Sequence, residues 1–320
     1  MISLDFELYW GVRDVVSIDA YRENLLGVRR AIPAMLDLFS RFSVRSTWAT
    51  VGFLFARDKD ELMAHVPREL PEYVDANLSP YPHLTSIGRD ERDDPYHFAP
   101  SMLRRIADTE GQEIASHTFS HYYCLEPGQN AEAFSADLDA ARAIGAARGL
   151  VPKTLVLPRN QWNRAYHPAL ARSGFVGYRV NRAHPILRSR RLSQETLPQR
   201  ALRFADSYVP ISGQLSVPET PPRDGVVELT ASAFLRPYSR RLRHLDALKL
   251  RRIERPMRAA AERGEVFHLW WHPHNFGRDL DANLSFLTKV LEAYRRLSDE
   301  RGMVSRTMGE LCAHTVSESQ

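Results

Sequence analysis

The segment HTFSH, residues 117–121, places His117 and His121 four positions apart. If the segment forms a helical turn, residues with this spacing lie on the same side, so both imidazoles can face one point. Imidazole is a common ligand of transition metals, but two ligands do not complete a catalytic site. The segment therefore raises the question of where a third ligand comes from, and the fold around it must supply the answer.

Two carboxylates near the beginning of the sequence are candidates for that ligand. The stretch LDFE, residues 4–7, belongs to a predicted first strand. Successive side chains of a strand alternate between its two faces, so Asp5 and Glu7 point the same way and Phe6 points the other way. The apolar run LYW at residues 8–10 argues against a simple exposed edge. The sequence thus predicts that two carboxylates meet at one site.

Two further predicted strands end in polar side chains. An apolar strand at 154–157 leads to Arg159 and Asn160, and a strand at 266–271 leads to His272. A proline follows His272 and prevents simple continuation of the strand. The carboxyl ends of parallel strands meet at one rim of a sheet. The four strand ends therefore predict an active site assembled at that rim.

Strands that alternate with helices predict an α/β architecture with a parallel sheet, either open or closed into a barrel. The predicted strands fall at residues 2–6, 46–51, 111–115, 154–157, 176–178 and 266–271. The predicted helices fall at residues 21–42, divided by Pro33, at 130–149 and at 280–294. Two stretches break the alternation, residues 56–100 and 182–263, and we interpret both as insertions in a single domain that spans residues 1–320.

The composition is that of an ordinary water-soluble globular protein, with 43% hydrophobic and 26% charged residues. Only two cysteines occur, far apart, so neither a disulfide framework nor a cysteine metal site is indicated. The sequence contains no apolar run long enough for a transmembrane helix and no secretory signal pattern. These features predict a cytoplasmic protein.

Positive charge is concentrated in one stretch, although the formal net charge of the whole chain is only +4. Residues 236–258 contain nine arginines or lysines against Asp246 and Glu254. Such a run is typical of a solvated helix face, and it also suits a surface for phosphate, lipid headgroups or an acidic sugar. Since no nucleic-acid-binding motif accompanies the charge, we do not expect a nucleic-acid partner.

The order of these motifs resembles the polysaccharide deacetylase family of metal-dependent carbohydrate esterases. An aspartate in the first strand, HTFSH after a middle strand, a proline and an arginine after the next, and a late His-Pro follow one another between residue 2 and about residue 275. The resemblance implies a distorted (β/α) barrel. It also implies an enzyme that hydrolyses N-acetyl or O-acetyl groups on sugars.

The resemblance further implies a metal site and a catalytic base. The metal ligands fall on His117, His121 and one of the two carboxylates, and the base falls on the other carboxylate. We assign Glu7 to the metal and Asp5 to the base. The usual family pattern has two adjacent aspartates, whereas Phe6 intervenes here, so the two roles are exchangeable. The expected metal is Zn²⁺, with other first-row ions as alternatives.

The remaining roles fall on the other two strand ends. The histidine acid of the family falls on His272, and the arginine that tethers the base falls on Arg159, although the order Pro-Arg replaces the usual Arg-x-Pro. Asn160, Trp162 and His274 are expected to bind the substrate. Trp162 is the best candidate for a platform under a sugar ring, because aromatic faces suit such rings.

Asp5 lies so near the first residue that we expect the substrate inside the cell. The expected substrate is a nucleotide- or lipid-linked acetamido sugar of a surface glycan, such as a lipopolysaccharide O-antigen or a capsule. The arginine run would then meet the diphosphate or allow peripheral membrane contact. Two alternatives stay open: a non-catalytic, sugar-binding pseudoenzyme on the same fold, and a hydrolase of a non-sugar amide or cyclic imide.

Overall fold

The alternation of strands and helices continues through almost the whole chain. The structure is a computed structural model and describes residues 1–318. The strands are β1 (Ile2–Phe6), β2 (Ser46–Thr50), β3 (Gln112–Ser116), β4 (Thr154–Val156), β5 (Gly177–Asn181), β6 (Val227–Ala231), β7 (Ala233–Phe234) and β8 (Leu269–Trp271). The helices are α1 (Ile18–Arg41), α2 (Lys59–Ala64), α3 (Pro100–Ala107), α4 (Ala131–Ala147), α5 (His167–Arg172), α6 (Leu197–Asp206), α7 (Asp246–Arg263), α8 (Leu280–Arg301) and α9 (Met308–Glu318).

The eight strands form one parallel sheet in the order β6-β5-β4-β3-β2-β1-β8-β7. Its two outer strands, β6 and β7, are separated along the chain only by Ser232. One extended segment, residues 227–234, therefore pairs first with β5 and then with β8. This arrangement nearly closes the sheet into a distorted (β/α) barrel, and the predicted fold class is confirmed.

Small and branched side chains form part of the inside of the barrel. Ala49, Ala115 and Val156 from three successive strands contact Met308 and Leu311 of α9, which covers the end of the barrel where the strands begin. A second layer of apolar side chains lies between the outside of the sheet and the surrounding helices. The opposite end, where the strands finish, is left for polar side chains.

Helix α1 runs without a break through Pro33, so the predicted division of this helix is wrong. A proline inside a helix removes one backbone hydrogen bond. Here the apolar side of α1 is buried over its whole length, from Leu25 to Phe39, and this packing outweighs the lost bond. No helix in residues 1–318 is both long and apolar enough to cross a membrane.

The predicted insertion at 182–263 requires correction, because β6, β7 and the whole of α7 lie within it. The two strands complete the sheet and α7 packs beside α8, so only residues 182–226 lie outside the barrel pattern. β6 was missed because it is only alternately buried and has no continuous apolar run, and β7 because it has only two residues. The other predicted insertion, residues 56–100, contains α2 and short 3₁₀ turns, and within the described chain it adds no strand to the sheet.

Candidate active site

The two carboxylates lie together at the end of β1. Asp5 is in the strand and Glu7 follows it directly, while the side chain of Phe6 is buried on the opposite face among apolar neighbours. Both carboxylates are buried. The alternation of a strand thus brings Asp5 and Glu7 to one side, as the spacing predicts.

The two histidines of HTFSH meet Glu7. His117 Nε2 is 2.9 Å and His121 Nε2 is 3.3 Å from the same carboxylate oxygen, Glu7 Oε1. The segment is not the helical turn that we expected, because Thr118 and His121 have positive φ angles of 63° and 62°. The chain instead bends sharply after β3, and the bend turns both imidazoles toward β1.

Asp137 of α4 holds this bend in place. Its carboxylate accepts hydrogen bonds from the backbone N–H of Phe119 at 2.6 Å, from the N–H of Ser120 at 3.0 Å and from the Ser120 hydroxyl. A left-handed backbone costs about 1–2 kcal/mol for each non-glycine residue. The bonds to Asp137 offset this cost and fix the position of the histidine pair.

Glu7, His117 and His121 have the chemistry of a divalent-metal site. All three are buried, and one ligand atom from each lies within 4.8 Å of the others. Burial lowers the pKa of His121, which favours the neutral imidazole that a metal requires. Burial alone would raise the pKa of Glu7, but His272, His117 and His121 together lower it well below its ordinary value. One anionic and two neutral ligands leave positions free, as a catalytic zinc site needs.

Tyr123 supports this ligand set from behind. Its hydroxyl lies 3.1 Å from His121 Nδ1, the ring nitrogen that does not face Glu7. When the protonated Nδ1 donates to that hydroxyl, Nε2 keeps the free lone pair that a metal ligand needs. The residues present therefore fit the metal that the sequence predicts.

Arg179, which the sequence analysis did not select, holds Asp5. From β5 its guanidinium reaches across the barrel and donates to both oxygens of Asp5, at 2.7 and 2.6 Å. It also donates to Ser3 Oγ and to Asn160 Oδ1, each at 2.9 Å, and its centre lies 4.2 Å from the centroid of the Trp270 ring. The arginine is fully buried, so this paired geometry fixes the orientation of the carboxylate.

The structure does not place Arg159 against Asp5, and that predicted contact is corrected to Arg179. Arg159 forms an ion pair with Asp14, and its guanidinium lies 4.4 Å from the centroid of the Tyr123 ring. The reason is local: Arg159 has a φ angle of 54°, so the chain turns sharply after β4. A strand-interior arginine at residue 179, on the same face as Gly177 and Asn181, was the signal that could have identified the tether.

His272 completes the group at the end of β8. Its Nε2 lies 3.8 Å from Asp5 Oδ2 and 3.7 Å from Glu7 Oε1, and its ring is partly exposed. The Nδ1 atom faces Asn275 Nδ2 at 3.5 Å. His272 is therefore the imidazole that stands between both carboxylates and the solvent.

His274 stacks on His272, with ring centroids 5.0 Å apart. Burial, followed by the neighbouring charge of His272, lowers the pKa of His274 to about 3. His274 is thus neutral at ordinary pH and buried beside Tyr21. Because His274 is buried behind His272, it can support the His272 ring, and it is poorly placed to contact a substrate directly.

The other two predicted substrate-binding residues occupy different surroundings. Asn160 is buried and accepts the hydrogen bond from Arg179 Nε, so it positions the arginine. Trp162 is half-buried and packs on Tyr178, with ring centroids 4.5 Å apart. The aromatic side chain next to His272 is instead Trp270, which is half-buried with its ring centroid 5.7 Å from that of the histidine.

Comparisons with known proteins identify the fold and do not extend to a close relative. No protein-family model matches the chain, and no curated protein matches it. An assigned polysaccharide deacetylase from Mycobacterium smegmatis has 16% identity and a TM-score of 0.61, covering 99% of this chain and 90% of that one. A probable polysaccharide deacetylase from Pseudomonas aeruginosa has 12% identity and a TM-score of 0.57, with coverage of 99% and 90%. The Puue allantoinase has 13% identity and a TM-score of 0.56, with coverage of 98% and 88%.

Proposed function

We propose that the protein is a metal-dependent hydrolase that removes an N-acetyl or O-acetyl group from a sugar. One observation carries the proposal: an arginine-tethered carboxylate, a three-ligand metal set and a partly exposed histidine converge at the ends of the barrel strands. Hydrolysis of an acyl group needs a base, stabilisation of the oxyanion and an acid for the leaving group. The site offers a candidate for each.

The residues divide the work according to their contacts. Glu7, His117 and His121 would hold the divalent ion, proposed to be Zn²⁺, which when bound activates water and polarises the acyl carbonyl. Asp5, held by Arg179, would accept the proton of the attacking water. His272 would donate a proton to the departing sugar nitrogen or oxygen.

The contacts favour one of the two exchangeable assignments of the carboxylates. Both oxygens of Asp5 are engaged by Arg179, which would compete with a metal for the same lone pairs. Glu7 Oε1 instead faces both imidazole Nε2 atoms. This supports Glu7 as the metal ligand and Asp5 as the base.

The proposed substrate is an acetamido sugar linked to a nucleotide or a lipid, as in the synthesis of O-antigen or capsule. Trp270 and Phe234, whose ring centroids are 4.7 Å apart beside His272, offer an aromatic surface for a sugar ring. The allantoinase that shares the fold keeps a second substrate class open, a non-sugar amide or cyclic imide. The substrate panel must therefore include both classes.

Metal content is the first test of the site. We expect about one zinc or similar divalent ion per chain, and loss of the ion in His117→Ala and in His121→Ala, because each variant removes one of three ligands. Elemental analysis of protein purified without chelator measures this directly. His65→Ala is the matched control and should keep the ion, because the His65 ring bonds to the Glu61 carbonyl and belongs to none of the possible metal-ligand groups within residues 1–318.

Acetate release from a panel of acetamido nucleotide sugars and acetylated oligosaccharides, together with a separate measurement of ring opening in allantoin, tests the reaction itself. Turnover that disappears in the two metal-free variants supports the proposal. If the metal-loaded protein hydrolyses only allantoin, its substrate is a cyclic imide and not an acetylated sugar. A chain that binds no ion after incubation with zinc, cobalt or nickel would be the sugar-binding pseudoenzyme.

A further inference from the structure

Helix α6 presents its apolar side to the solvent. Leu197, Ala201 and Phe204 follow one another at intervals of four and three residues, which places them in one stripe along the helix. All three are exposed, and 78% of Leu197 is accessible. Arg203 and Asp206 lie on the other side and face the protein. The helix is amphipathic, but its orientation is the reverse of that of a helix packed on a core.

Buried polar contacts fix this reversed orientation. The carboxylate of Asp206 pairs with Arg252 at 3.1 Å and accepts from the backbone and the hydroxyl of Ser212 at 2.7 and 2.8 Å. Arg203 donates to Glu195 at 2.9 Å. Rotating the helix to bury its apolar side would break these contacts and leave charges without partners. The apolar side is therefore held outward by the fold.

Further exposed apolar side chains flank the stripe and follow the helix, and we name this group the α6 surface. Its large side chains are Leu197, Leu202, Phe204, Val209 and Ile211. These five lie within fifteen residues of sequence, whereas the other exposed large hydrophobic side chains among residues 1–318 are scattered along the chain. Clustered exposed apolar side chains mark interaction sites, and scattered ones do not.

The α6 surface lies at the active-site end of the barrel. Residues 182–226 follow the end of β5, at the rim that carries Asp5 and His272. A chain of contacts joins the two places: the Arg236 guanidinium is 4.8 Å from the Phe204 ring centroid and 5.8 Å from that of Phe234. The Phe234 ring is in turn 5.8 Å from that of His272. Anything that binds the α6 surface is thus close to the site opening.

The segment that carries this surface is strongly basic. Residues 182–211 contain six arginines against Glu195 and Asp206, a net charge of +4 that equals the formal net charge of the whole chain. Both carboxylates are already paired, with Arg203 and Arg252. Arg200 is exposed on α6 and borders the apolar stripe. The other arginines of residues 182–211 add to the positive charge of this segment.

We infer that the α6 surface docks on a lipid bilayer that contains anionic phospholipids. The apolar stripe of α6 and the two apolar side chains after the helix, Val209 and Ile211, would enter the boundary between headgroups and acyl chains, and the surrounding arginines would bind lipid phosphates. A second copy of the chain would bring the same positive charge to the contact, so charge complementarity favours the phosphate-rich surface. The inference does not rest on the proposed reaction, because membrane binding can be measured without turnover.

Co-flotation of the full chain with lipid vesicles tests the inference. We expect binding to vesicles of phosphatidylethanolamine and phosphatidylglycerol, weak binding to pure phosphatidylcholine, and reduced binding in about 1 M salt. The double variant Leu197→Asp with Val209→Asp should lower the vesicle partition coefficient by at least about tenfold, since burial of one leucine side chain alone is worth about that factor.

The variant places charge at two well-exposed positions. Leu197 is 78% accessible and Val209 is 54% accessible, so the variant should fold normally. Val304→Asp, an equally exposed apolar position elsewhere, is the matched control and should bind vesicles like the unaltered protein. Circular dichroism verifies the fold of each protein. Absence of binding to anionic vesicles, or equal binding by the double variant, overturns the inference. A dimer that the double variant dissociates, without vesicle binding, would assign the surface to a second copy.

Discussion

Asp5→Asn should lower kcat by about 10²- to 10⁴-fold, the usual contribution of a general base, while the metal stays bound. The amide keeps the size of the side chain and cannot take up the proton of the attacking water. Arg179 would still find one oxygen to bond, so the substitution changes proton transfer more than position. Acetate release under saturating substrate measures the loss.

Elemental analysis of the same Asp5→Asn protein separates the two carboxylate roles. Retention of about one ion per chain together with the loss of kcat assigns the base to Asp5. Loss of the ion would instead indicate that Asp5 is the metal ligand and Glu7 the base. Glu7→Gln is the comparison variant, and it should lose most of the ion because both imidazoles face its Oε1 atom.

Arg179→Leu should lower the free energy of unfolding by about 3–5 kcal/mol, the cost of breaking a buried ion pair by removing one partner. The substitution leaves Asp5 buried without the guanidinium that bonds both of its oxygens, and it also removes a donor from Ser3 and Asn160. Guanidinium unfolding followed by circular dichroism gives the free energy. Arg179→Lys should lose less, since lysine keeps the charge without the paired geometry.

The double variant Asp5→Asn with Arg179→Leu distinguishes an ion pair from simple packing. If the uncompensated charge of Asp5 causes the loss, removing that charge as well should recover most of the stability. A double variant as unstable as the sum of the single variants would mean that Arg179 acts through its contacts with Trp270 and the strand neighbours. A single Arg179→Leu protein within about 1 kcal/mol of the unaltered protein would contradict the role of the pair.

Local rules predict the centre of the site because they depend on geometry that any strand imposes. The alternation of side chains places Asp5 and Glu7 together without knowledge of the rest of the chain. The meeting of strand ends at one rim brings His272 to them through the pairing of β8 with β1. Motif order and the alternation of strands and helices likewise predict the barrel.

The missed features depend on backbone turns and on contacts between distant segments. Arg159 follows β4 and Arg179 lies in β5, and the sharp turn at Arg159, with a φ angle of 54°, accompanies its contact with Asp14 instead of Asp5. The bend at HTFSH is held by Asp137, which belongs to the distant helix α4. The outward apolar side of α6 is set by Asp206 and Arg252, which lie 46 residues apart. Neither periodicity nor spacing contains this information.

The pairing of β1 with β8 joins Ile2 to Leu269, so the first strand acquires its second neighbour only late in synthesis. The proposed metal ligands all belong to residues 7–121. The arginine that holds Asp5 and the proposed acid come later in the chain, at Arg179 and His272. The ribosome synthesises the chain from its amino-terminal end, whereas a domain generally folds as a unit. The three proposed metal ligands are therefore synthesised before the proposed acid His272, and the pairing of β8 with β1 brings that acid to them.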